Sequence, residues 1–296
     1  VSNKSETKTW DTYGIWEKGK SLIIYNLREF KKITPKQYAA EKFRMQVELL
    51  KLQEDVIKNG RKIAIIFEGR DAAGKTATIQ HFSQYLIPEG MEYINFGVPT
   101  KSESNNWFKR YERKMPKKGQ ICFFDRSWYS RALIEPTLGF CSQRQYKNFM
   151  NKVNHWEKDL IENGTEIIKF YLSIDQISQQ KRLRARQESP IKYWKFSETD
   201  ARIINKYDIF KLYKEQMFEK TSSSICPWVV INATNKRVAR INAMHYLLNK
   251  LDYDEKEILN PRKWSSSIAN YSFALEDETF ENLTYKQYQL LTKYLG

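Results

Sequence analysis

The chain of 296 residues carries 50 Lys and Arg against 35 Asp and Glu, and its net charge of +15 predicts an anionic partner: nucleic acid, a membrane surface or a polyanionic substrate. Its three cysteines are widely spaced, which argues against a disulfide framework or a zinc site and favours a reduced, cytoplasmic setting. No apolar run approaches the roughly 18 residues needed to span a bilayer, so we expect a soluble protein.

The hydrophobic pattern alternates between helical and strand periodicity along most of the chain. Residues 1–34 mix aromatic and basic residues without sustained periodicity, which predicts an irregular arm laid over the domain. The predicted helices are residues 35–58, 77–86, 104–113, 143–162, 177–187, 198–218 and 237–250. The predicted strands are residues 62–68, 91–96, 121–124, 166–172 and 228–231.

This order of elements predicts an α/β fold with the layout of a P-loop kinase or NTPase. We expect a five-stranded parallel sheet with helices on both faces and a helical lid, and active groups at the carboxyl ends of the strands. The expected units are an N-terminal arm over 1–34, a kinase domain over 35–251 with its lid at about 181–197, and an extension over 252–296. The extension begins with an acidic stretch and is interpreted as a small helical or partly disordered tail.

A phosphate-binding loop follows the first predicted strand. Residues 69–76 match the pattern G-x-x-x-x-G-K-[ST], with an apolar strand before them and a helix after. Gly69 and Gly74 let backbone N–H groups turn inward around phosphate oxygens, and the following helix offers its positive end. Lys75 would neutralise phosphate charge, and the Thr76 hydroxyl would hold Mg²⁺.

Two acids and one arginine are candidates for the chemistry. Asp125 ends an apolar strand, where P-loop enzymes place the carboxylate that holds Mg²⁺; the alternative is a cap on the next helix. Arg126 suits the charge that develops on a transferring phosphoryl group, or else forms a structural salt bridge. Asp71 would repel phosphate unless a cation stood between them, so we expect it to bind Mg²⁺ rather than to face solvent.

A strongly basic helix and the loop after it predict a lid that closes over phosphates. Four cations fall within six residues of this helix, and like charges on one helix face favour an anionic ligand, although a solvated basic face is the alternative. These helix residues are Lys181, Arg182, Arg184 and Arg186. The loop adds Lys192, Tyr193, Trp194 and Lys195.

Aromatic residues near the third predicted strand are candidates for stacking on a nucleobase. Trp128 and Tyr129 are the nearest of them and, with Arg131, form the predicted nucleotide site; burial in the core is the alternative for such residues. The three histidines are scattered and show neither metal-ligand spacing nor a paired nucleophile, so no catalytic role is expected for them.

Several blocks of the chain resemble the second family of polyphosphate kinases, P-loop phosphotransferases similar in fold to thymidylate kinase. The blocks are Phe67-Glu-Gly-Arg-Asp-Ala-Ala-Gly-Lys75, Phe124-Asp-Arg-Ser-Trp-Tyr-Ser-Arg131, Arg182 and Arg186 with Ser189-Pro-Ile-Lys-Tyr-Trp-Lys195, Met217-Phe218 through Pro227-Trp228, and Lys236-Arg-Val-Ala-Arg-Ile-Asn242. Together they cover about residues 13–251 and are more specific than the loop alone.

The resemblance implies reversible, Mg²⁺-dependent phosphoryl transfer between inorganic polyphosphate and nucleoside diphosphates such as ADP or GDP. It implies Mg²⁺ at Asp71 and Asp125, and stabilisation of the phosphoryl group by Lys75 and Arg126. The polyphosphate-binding residues it implies are Arg70, Gly74, Lys75, Arg126, Lys181, Arg182, Arg186, Lys192 and Lys195. A long basic channel for polyphosphate also explains the net charge, and by the same likeness we expect a homo-oligomer. Because the basic residues cluster next to the phosphate loop and no dedicated nucleic-acid motif is found, we expect neither nucleic acid nor a membrane as partner.

Three positions depart from the family pattern. Thr76 stands where the family usually has Gly, Ser189 where Asp usually precedes the Pro, and Ser222 where Asp usually follows Thr221. These departures leave open the lid geometry and the choice between nucleoside mono- and diphosphates. Two alternatives stay open: an ATP-dependent nucleoside monophosphate kinase, which shares the fold and a basic lid, and, from another class, a nucleic-acid-binding P-loop protein.

Overall fold

The computed structural model describes residues 13–16, 23–25, 33–257, 271–275 and 278–283. The described strands are β1 (Tyr13–Trp16), β2 (Ile23–Tyr25), β3 (Lys62–Gly69), β4 (Met91–Ile94), β5 (Gln120–Asp125), β6 (Thr165–Ser173), β7 (Trp228–Asn232), β8 (Tyr271–Leu275) and β9 (Glu278–Leu283). The described α-helices are α1 (Pro35–Asn59), α2 (Lys75–Ser83), α3 (Lys101–Asn105), α4 (Trp107–Glu112), α5 (Ile134–Leu138), α6 (Gln143–Glu162), α7 (Gln176–Gln187), α8 (Glu198–Ile204), α9 (Tyr207–Thr221) and α10 (Lys236–Lys250).

The centre of the fold is the predicted five-stranded parallel sheet, which is confirmed. Its strand order is β7-β6-β3-β5-β4, and every neighbouring pair in this order is parallel. Phe67 of β3 lies opposite Asp125 of β5 and Phe170 of β6, so the carboxyl ends of the three central strands meet. The loops after these strands therefore share one edge of the sheet, where α/β folds bind ligands.

Alternation along β3 divides the core between the two faces of the sheet. Ile63, Ile65 and Phe67 face a buried cluster that includes side chains of α1, α2 and α10. Ala64 and Ile66 belong to the cluster on the opposite face, with side chains of α4, α5, α6 and α9. All five residues are 0% exposed, as expected for a central parallel strand that helices cover on both sides. None of the described helices combines the length and the apolarity that crossing a membrane requires.

The prediction of an irregular N-terminal arm is wrong where the structure describes it. β1 pairs antiparallel with β7, and β2 pairs antiparallel with β1. These two short strands extend the sheet to seven and cover the edge of β7, whose N–H and C=O groups would otherwise lack partners. Strands of four and three residues are too short for a recognisable alternation pattern in sequence.

Two predicted helices are each divided in the structure. The predicted helix 104–113 is interrupted at Asn106, whose ψ of 53° is not helical, between α3 and α4. The predicted helix 198–218 is divided between α8 and α9 at Lys206, where φ is −116° and ψ is 29°. The second break lets Tyr207 contact the phosphate loop, which is a tertiary contact that local periodicity does not reveal.

The described part of the C-terminal extension is a β-hairpin, so the prediction of a helical or disordered tail is wrong there. β8 and β9 pair antiparallel, and β9 lies against α1. The segment just after α10 also binds α1: Tyr253 donates a hydrogen bond to Glu48 (2.9 Å), and Lys58 pairs with Asp254 (2.7 Å). Predictions for residues 1–12, 17–22, 26–32, 258–270, 276–277 and 284–296 lie outside the described residues.

Candidate active site

The backbone between β3 and α2 forms the predicted loop and needs glycine at both ends. Gly69 has a φ of 142°, and a Cβ placed there would overlap the backbone carbonyl oxygen of Leu172 on β6. Gly74, with a φ of 102°, lies in open space and directly precedes α2. Gly69 is thus required for close strand packing, whereas Gly74 is required for a backbone conformation that L side chains rarely adopt.

Lys75 is the first residue of α2, and its side chain turns back into the loop. The ammonium donates hydrogen bonds to the carbonyls of Gly69 and Arg70, both at 3.0 Å. Burial lowers the pKa of Lys75, and the nearby Arg126 guanidinium lowers it further. A buried cation beside the loop backbone can bind phosphate oxygens strongly, because little water screens it.

Asp125 ends β5 and accepts two hydroxyl hydrogen bonds on the same oxygen. Thr76 of α2 donates to Oδ2, and Tyr93 of β4 donates to the same atom at 2.9 Å. Among the described residues, none donates to Oδ1 of Asp125. The Thr76 hydroxyl keeps its oxygen lone pairs, so both residues retain atoms that could face a cation.

Asp71 lies within the loop and forms an ion pair with Arg126. Its Oδ1 accepts from the guanidinium, whereas its Oδ2 is buried without a partner in the described part of the chain. Although burial opposes the charge, the carboxylates of Asp71, Glu68 and Asp125 raise the pKa of Arg126. Arg126 has a φ of 67°, which is uncommon for a non-glycine residue and indicates a constrained position.

Glu68 is a site residue that the sequence analysis missed. It is 1% exposed and accepts hydrogen bonds from the backbone N–H (2.7 Å) and the hydroxyl (2.8 Å) of Ser127. Burial raises the pKa of Glu68, and the positive charges of Arg126 and Lys75 partly oppose that rise. Glu68 thereby connects the end of β3 to the turn after β5. Its signal was an acid inside an otherwise apolar strand.

The structure brings most of the loop and strand-end candidates together. Two cations share three carboxylates here. The pKa values of Lys75 and Arg126 both respond to the same three negative charges, those of Glu68, Asp71 and Asp125. Among the described residues, no three His, Cys, Asp or Glu side chains are grouped closely enough to form a protein-only metal site. Mg²⁺ commonly binds through one or two carboxylates together with substrate phosphates, and the buried, unpartnered Oδ2 atom of Asp71 fits that kind of site.

The basic residues of α7 divide into two groups. Arg182 points into the loop: it donates to the carbonyls of Ala72 (3.1 Å) and Ala233 (2.7 Å). Arg186 pairs with Asp200 of α8 at 3.3 Å. Lys181 is exposed, and so is Lys192 in the loop after α7; the side chain of Lys195 lies outside the described residues. α7 therefore contributes both a support for the loop and an exposed basic surface.

Lys236, the first residue of α10, is a second residue that the site predictions missed. Burial lowers the pKa of Lys236, and so do four cations: Arg182, Arg240, Lys192 and Arg186. Cations from α7, the following loop and α10 therefore converge. This convergence is a tertiary property, although the cations at 236 and 240 were visible in the sequence as one block.

Arg70 is less accessible than a polyphosphate-binding role requires. The residue is 4% exposed, its guanidinium stacks 3.6 Å from the ring centroid of Tyr207, and it donates to the Tyr207 carbonyl at 2.8 Å. Its Nη1 is buried without a partner in the described part of the chain. Arg70 fixes the start of α9 against the loop in this conformation.

The predicted nucleobase-stacking residues are part of the core, which corrects that prediction. Trp128 and Tyr129 are 0% exposed. The Trp128 indole donates to Glu157 (2.9 Å) and packs edge-on against Trp156, so neither face is open to a base. Arg131 is 1% exposed, lies over the Trp107 ring and donates to Ser104. These three residues are therefore part of the packed core next to the site.

Comparison with known proteins agrees with this geometry. The family model described as Polyphosphate kinase 2 (PPK2) matches residues 32–258. The chain belongs to the polyphosphate kinase 2 family.

Similar proteins include members of the family from several bacteria. A GDP-polyphosphate phosphotransferase of Mycolicibacterium smegmatis is 40% identical over 221 residues, covering 74% of this chain and 78% of its own. An ADP-polyphosphate phosphotransferase of Pseudomonas aeruginosa is 38% identical over 224 residues, covering 75% and 74%. The crystal structure of polyphosphate kinase 2 from Arthrobacter aurescens TC1 matches with a TM-score of 0.70 and 30% identity, covering 77% of this chain and 85% of that one.

The residues that the family model matches include the site. The match begins at residue 32, shortly before α1, and ends at residue 258, so it contains the whole parallel sheet and the site. The strands β1 and β2, and the hairpin of β8 and β9, lie outside it. The site therefore lies in the part of the chain that the family model matches, whereas the edge strands and the hairpin lie outside that part.

Proposed function

We propose that this protein catalyses reversible phosphoryl transfer between inorganic polyphosphate and nucleoside diphosphates, forming ATP or GTP from ADP or GDP. The observation that carries the proposal is the 40% identity to a GDP-polyphosphate phosphotransferase across a region that includes the intact loop, Asp125 and Arg126. The 38% identity to an ADP-polyphosphate phosphotransferase supports both purine diphosphates as acceptors.

The transfer needs positioning and charge stabilisation more than covalent chemistry. A terminal phosphate oxygen of the diphosphate attacks the end phosphoryl group of polyphosphate, and the shortened chain leaves with the electron pair of the broken P–O bond. Lys75 and Arg126 are fixed cations that stabilise the charge on the transferring group. No covalent enzyme intermediate is required.

Mg²⁺ is the proposed cofactor, held by Asp71 and Asp125 with the Thr76 hydroxyl as a further ligand. A Mg²⁺ ion held there would neutralise negative charge on the phosphate oxygens. One oxygen of Asp71 accepts a hydrogen bond from Arg126, and one oxygen of Asp125 accepts hydrogen bonds from two hydroxyls. The other oxygen of each carboxylate is left for the metal. An acid inside an anion-binding loop is otherwise unfavourable, because it would repel the substrate.

The polyphosphate chain is proposed to run over the basic surface formed by α7, the loop after it and the start of α10. The residues of this surface that were predicted from sequence are Lys181, Arg182, Arg186, Lys192 and Lys195. Lys236 and Arg240 are added because burial and neighbouring cations, Arg240 among them, lower the pKa of Lys236. Gly74 would bind phosphate through its backbone N–H. Polyphosphate carries about one negative charge per phosphate, so its binding is expected to weaken steeply with salt, as counterion release predicts.

We further propose that the protein acts in the cytoplasm as a homo-oligomer, and that neither nucleic acid nor a membrane is its partner. The domain boundaries proposed are an arm before residue 35, the kinase domain to 251 with its lid at about 181–197, and the extension after it. A polyphosphate substrate explains why the cations cluster beside the phosphate loop. Non-specific binding of nucleic acid would not require the cations to lie there.

The test is nucleotide formation by the purified protein with Mg²⁺ and long-chain polyphosphate. ADP, GDP and AMP are supplied in parallel, each with and without polyphosphate, and Asp71→Asn serves as the site control. The proposal predicts ATP and GTP only when polyphosphate is present, and a strong loss in the variant. ATP consumption with a nucleoside monophosphate and no use of polyphosphate would instead identify a nucleoside monophosphate kinase.

A further inference from the structure

The structure assigns to Tyr93 a role in orienting Asp125, the proposed metal-binding carboxylate, and this inference rests on the proposed function. Tyr93 is the third residue of the edge strand β4, and its hydroxyl donates to Oδ2 of Asp125 at 2.9 Å. Nothing in the phosphate-loop pattern points to β4, so the residue is invisible to motif analysis. We infer that it is a positioning residue for the metal site.

The parallel register explains why this tyrosine reaches the site. Tyr93 lies opposite Phe123 of β5, and side chains of paired residues point to the same face of a sheet. Phe123 belongs to the buried cluster on the face that α2 covers. Asp125 lies two residues farther along the same strand and therefore on the same face. Tyr93 thus meets Asp125 beside Thr76 at the start of α2.

The hydrogen bonds around Tyr93 form a chain with a defined direction. Asn95 donates from its amide nitrogen to the Tyr93 hydroxyl oxygen at 3.3 Å, which leaves the hydroxyl hydrogen for Asp125. Thr76 donates to the same carboxylate oxygen from the other side. Oδ2 is therefore held by hydroxyls from two different elements.

Two donors on one oxygen fix the rotation of the carboxylate. The terminal torsion of an aspartate is broad, so an Asp125 without these donors would sample many orientations. With Oδ2 engaged twice, the other oxygen is presented in one direction, and Oδ1 has no donor among the described residues. Partners that orient metal-binding carboxylates typically account for about 10- to 100-fold in metal affinity or activity.

The decisive variant is Tyr93→Phe, which removes one oxygen and keeps the ring and the strand. Binding of Mn²⁺, as a paramagnetic substitute for Mg²⁺, is measured by electron paramagnetic resonance on the protein with bound ADP. We expect the dissociation constant to rise about tenfold, and the Mg²⁺ concentration for half-maximal turnover to rise in parallel. Turnover at saturating Mg²⁺ should largely recover, because the ligands themselves remain.

Two further variants separate orientation from general structure. Asn95→Ala should weaken metal binding in the same direction but less, because Tyr93 keeps its own bond to Asp125. Tyr85→Phe is the control: the Tyr85 hydroxyl likewise accepts a side-chain amide hydrogen bond, from Gln84 at the end of α2, and its removal should leave metal binding unchanged.

The outcomes distinguish this inference from the proposed function. If Tyr93→Phe binds Mn²⁺ as tightly as the wild type, within twofold, Tyr93 does not orient the site and the inference is overturned, whatever the substrate. If the wild type binds the metal, and Tyr93→Phe weakens that binding, but polyphosphate is not used, the inference stands and the proposed donor is wrong.

Discussion

Two clusters of charged residues lie beside the same sheet and differ in how completely their hydrogen bonds are satisfied. In the buried Lys169 cluster, the ammonium of Lys169 has three acceptors: Glu157 (2.8 Å), Thr221 (2.9 Å) and Tyr129 (3.1 Å). The other Glu157 oxygen accepts from Trp128. In the phosphate-loop cluster, formed by Glu68, Asp71, Lys75, Asp125 and Arg126, Asp71 has a buried oxygen with no partner in the described part of the chain.

The difference separates a cluster that supports folding from one that supports binding. A lysine has three N–H donors, and all three of Lys169 are used within the protein, so no capacity remains for a ligand. An unpartnered buried carboxylate oxygen costs stability, which a bound cation would offset. Incomplete hydrogen bonding therefore distinguishes the phosphate-loop cluster from the Lys169 cluster, although both are charged and buried. Substitutions in the two clusters should consequently affect different properties.

The largest effect is expected for Lys75→Ala on turnover. Removing the buried cation of the loop should lower the rate of phosphoryl transfer about 1,000-fold, because a fixed charge that stabilises the transferring group is lost. Thermal unfolding should change much less than turnover, because the variant loses two hydrogen bonds, to Gly69 and Arg70, but also removes a buried charge that costs stability. Turnover within tenfold of the wild type would contradict the role of Lys75.

Lys169→Met should have the opposite profile. Removing the ammonium leaves Glu157 charged and buried, and breaking such a pair costs about 3–5 kcal/mol. For a protein of this size we expect the melting temperature to fall by about 10 °C. Turnover per folded molecule at 20 °C should stay within about twofold of the wild type.

The double variant Lys169→Met/Glu157→Gln sharpens this comparison. Neutralising Glu157 removes the uncompensated charge and keeps an acceptor for Trp128, so part of the lost stability should return. A double variant that is less stable than Lys169→Met would show that Glu157 is held by something other than the ion pair.

The two loop glycines should differ in their cost to stability. Gly69→Ala places a Cβ against the Leu172 carbonyl as well as imposing an unfavourable φ, and should cost about 3 kcal/mol in the free energy of unfolding. Gly74→Ala meets open space and should cost only about 1 kcal/mol, from backbone strain alone. Urea titration of both variants measures the difference, and equal costs would contradict the packing of β3 against β6.

The last expected effect concerns pH and His81 of α2. Burial, reinforced by Arg240 and Lys42, lowers the pKa of His81 to about 4, although Gln84 opposes the shift. The unfolded chain binds this proton below about pH 6.5, whereas the folded chain does not until about pH 4, so stability is lost as pH falls through that window. Urea unfolding at pH 7.5 and 4.5 should show a smaller loss for His81→Gln than for the wild type.

Local sequence was sufficient for the parts of the molecule that a single segment determines. The parallel sheet follows from strands alternating with helices, and the loop follows from the spacing of Gly69, Gly74 and Lys75. The breaks at Asn106 and Lys206 and the pairing of β1 with β7 depend on distant residues, which periodicity within one segment does not report.

The candidate site was predictable only where its residues lie in one motif. Glu68, Tyr93 and Lys236 reach the site through strand register or through convergence of helices. The local signals of Glu68 and Lys236, an acid in an apolar strand and a basic block, did not by themselves assign these residues to the site. Trp128 and Tyr129 show the opposite error, because proximity in sequence to Asp125 does not decide which side of the sheet a ring enters. Prediction of the remaining roles requires the tertiary arrangement.

The most direct test of the phosphate-loop cluster as a polyphosphate-dependent kinase site is the transfer of a labelled phosphate. Polyphosphate labelled with ³²P is mixed with unlabelled GDP or ADP, Mg²⁺ and protein, and the nucleotides are separated. We predict label in the terminal phosphate of GTP or ATP with the wild type and none with Lys75→Ala. Nucleoside triphosphate that forms without label, or no triphosphate from either diphosphate, would contradict polyphosphate as the donor.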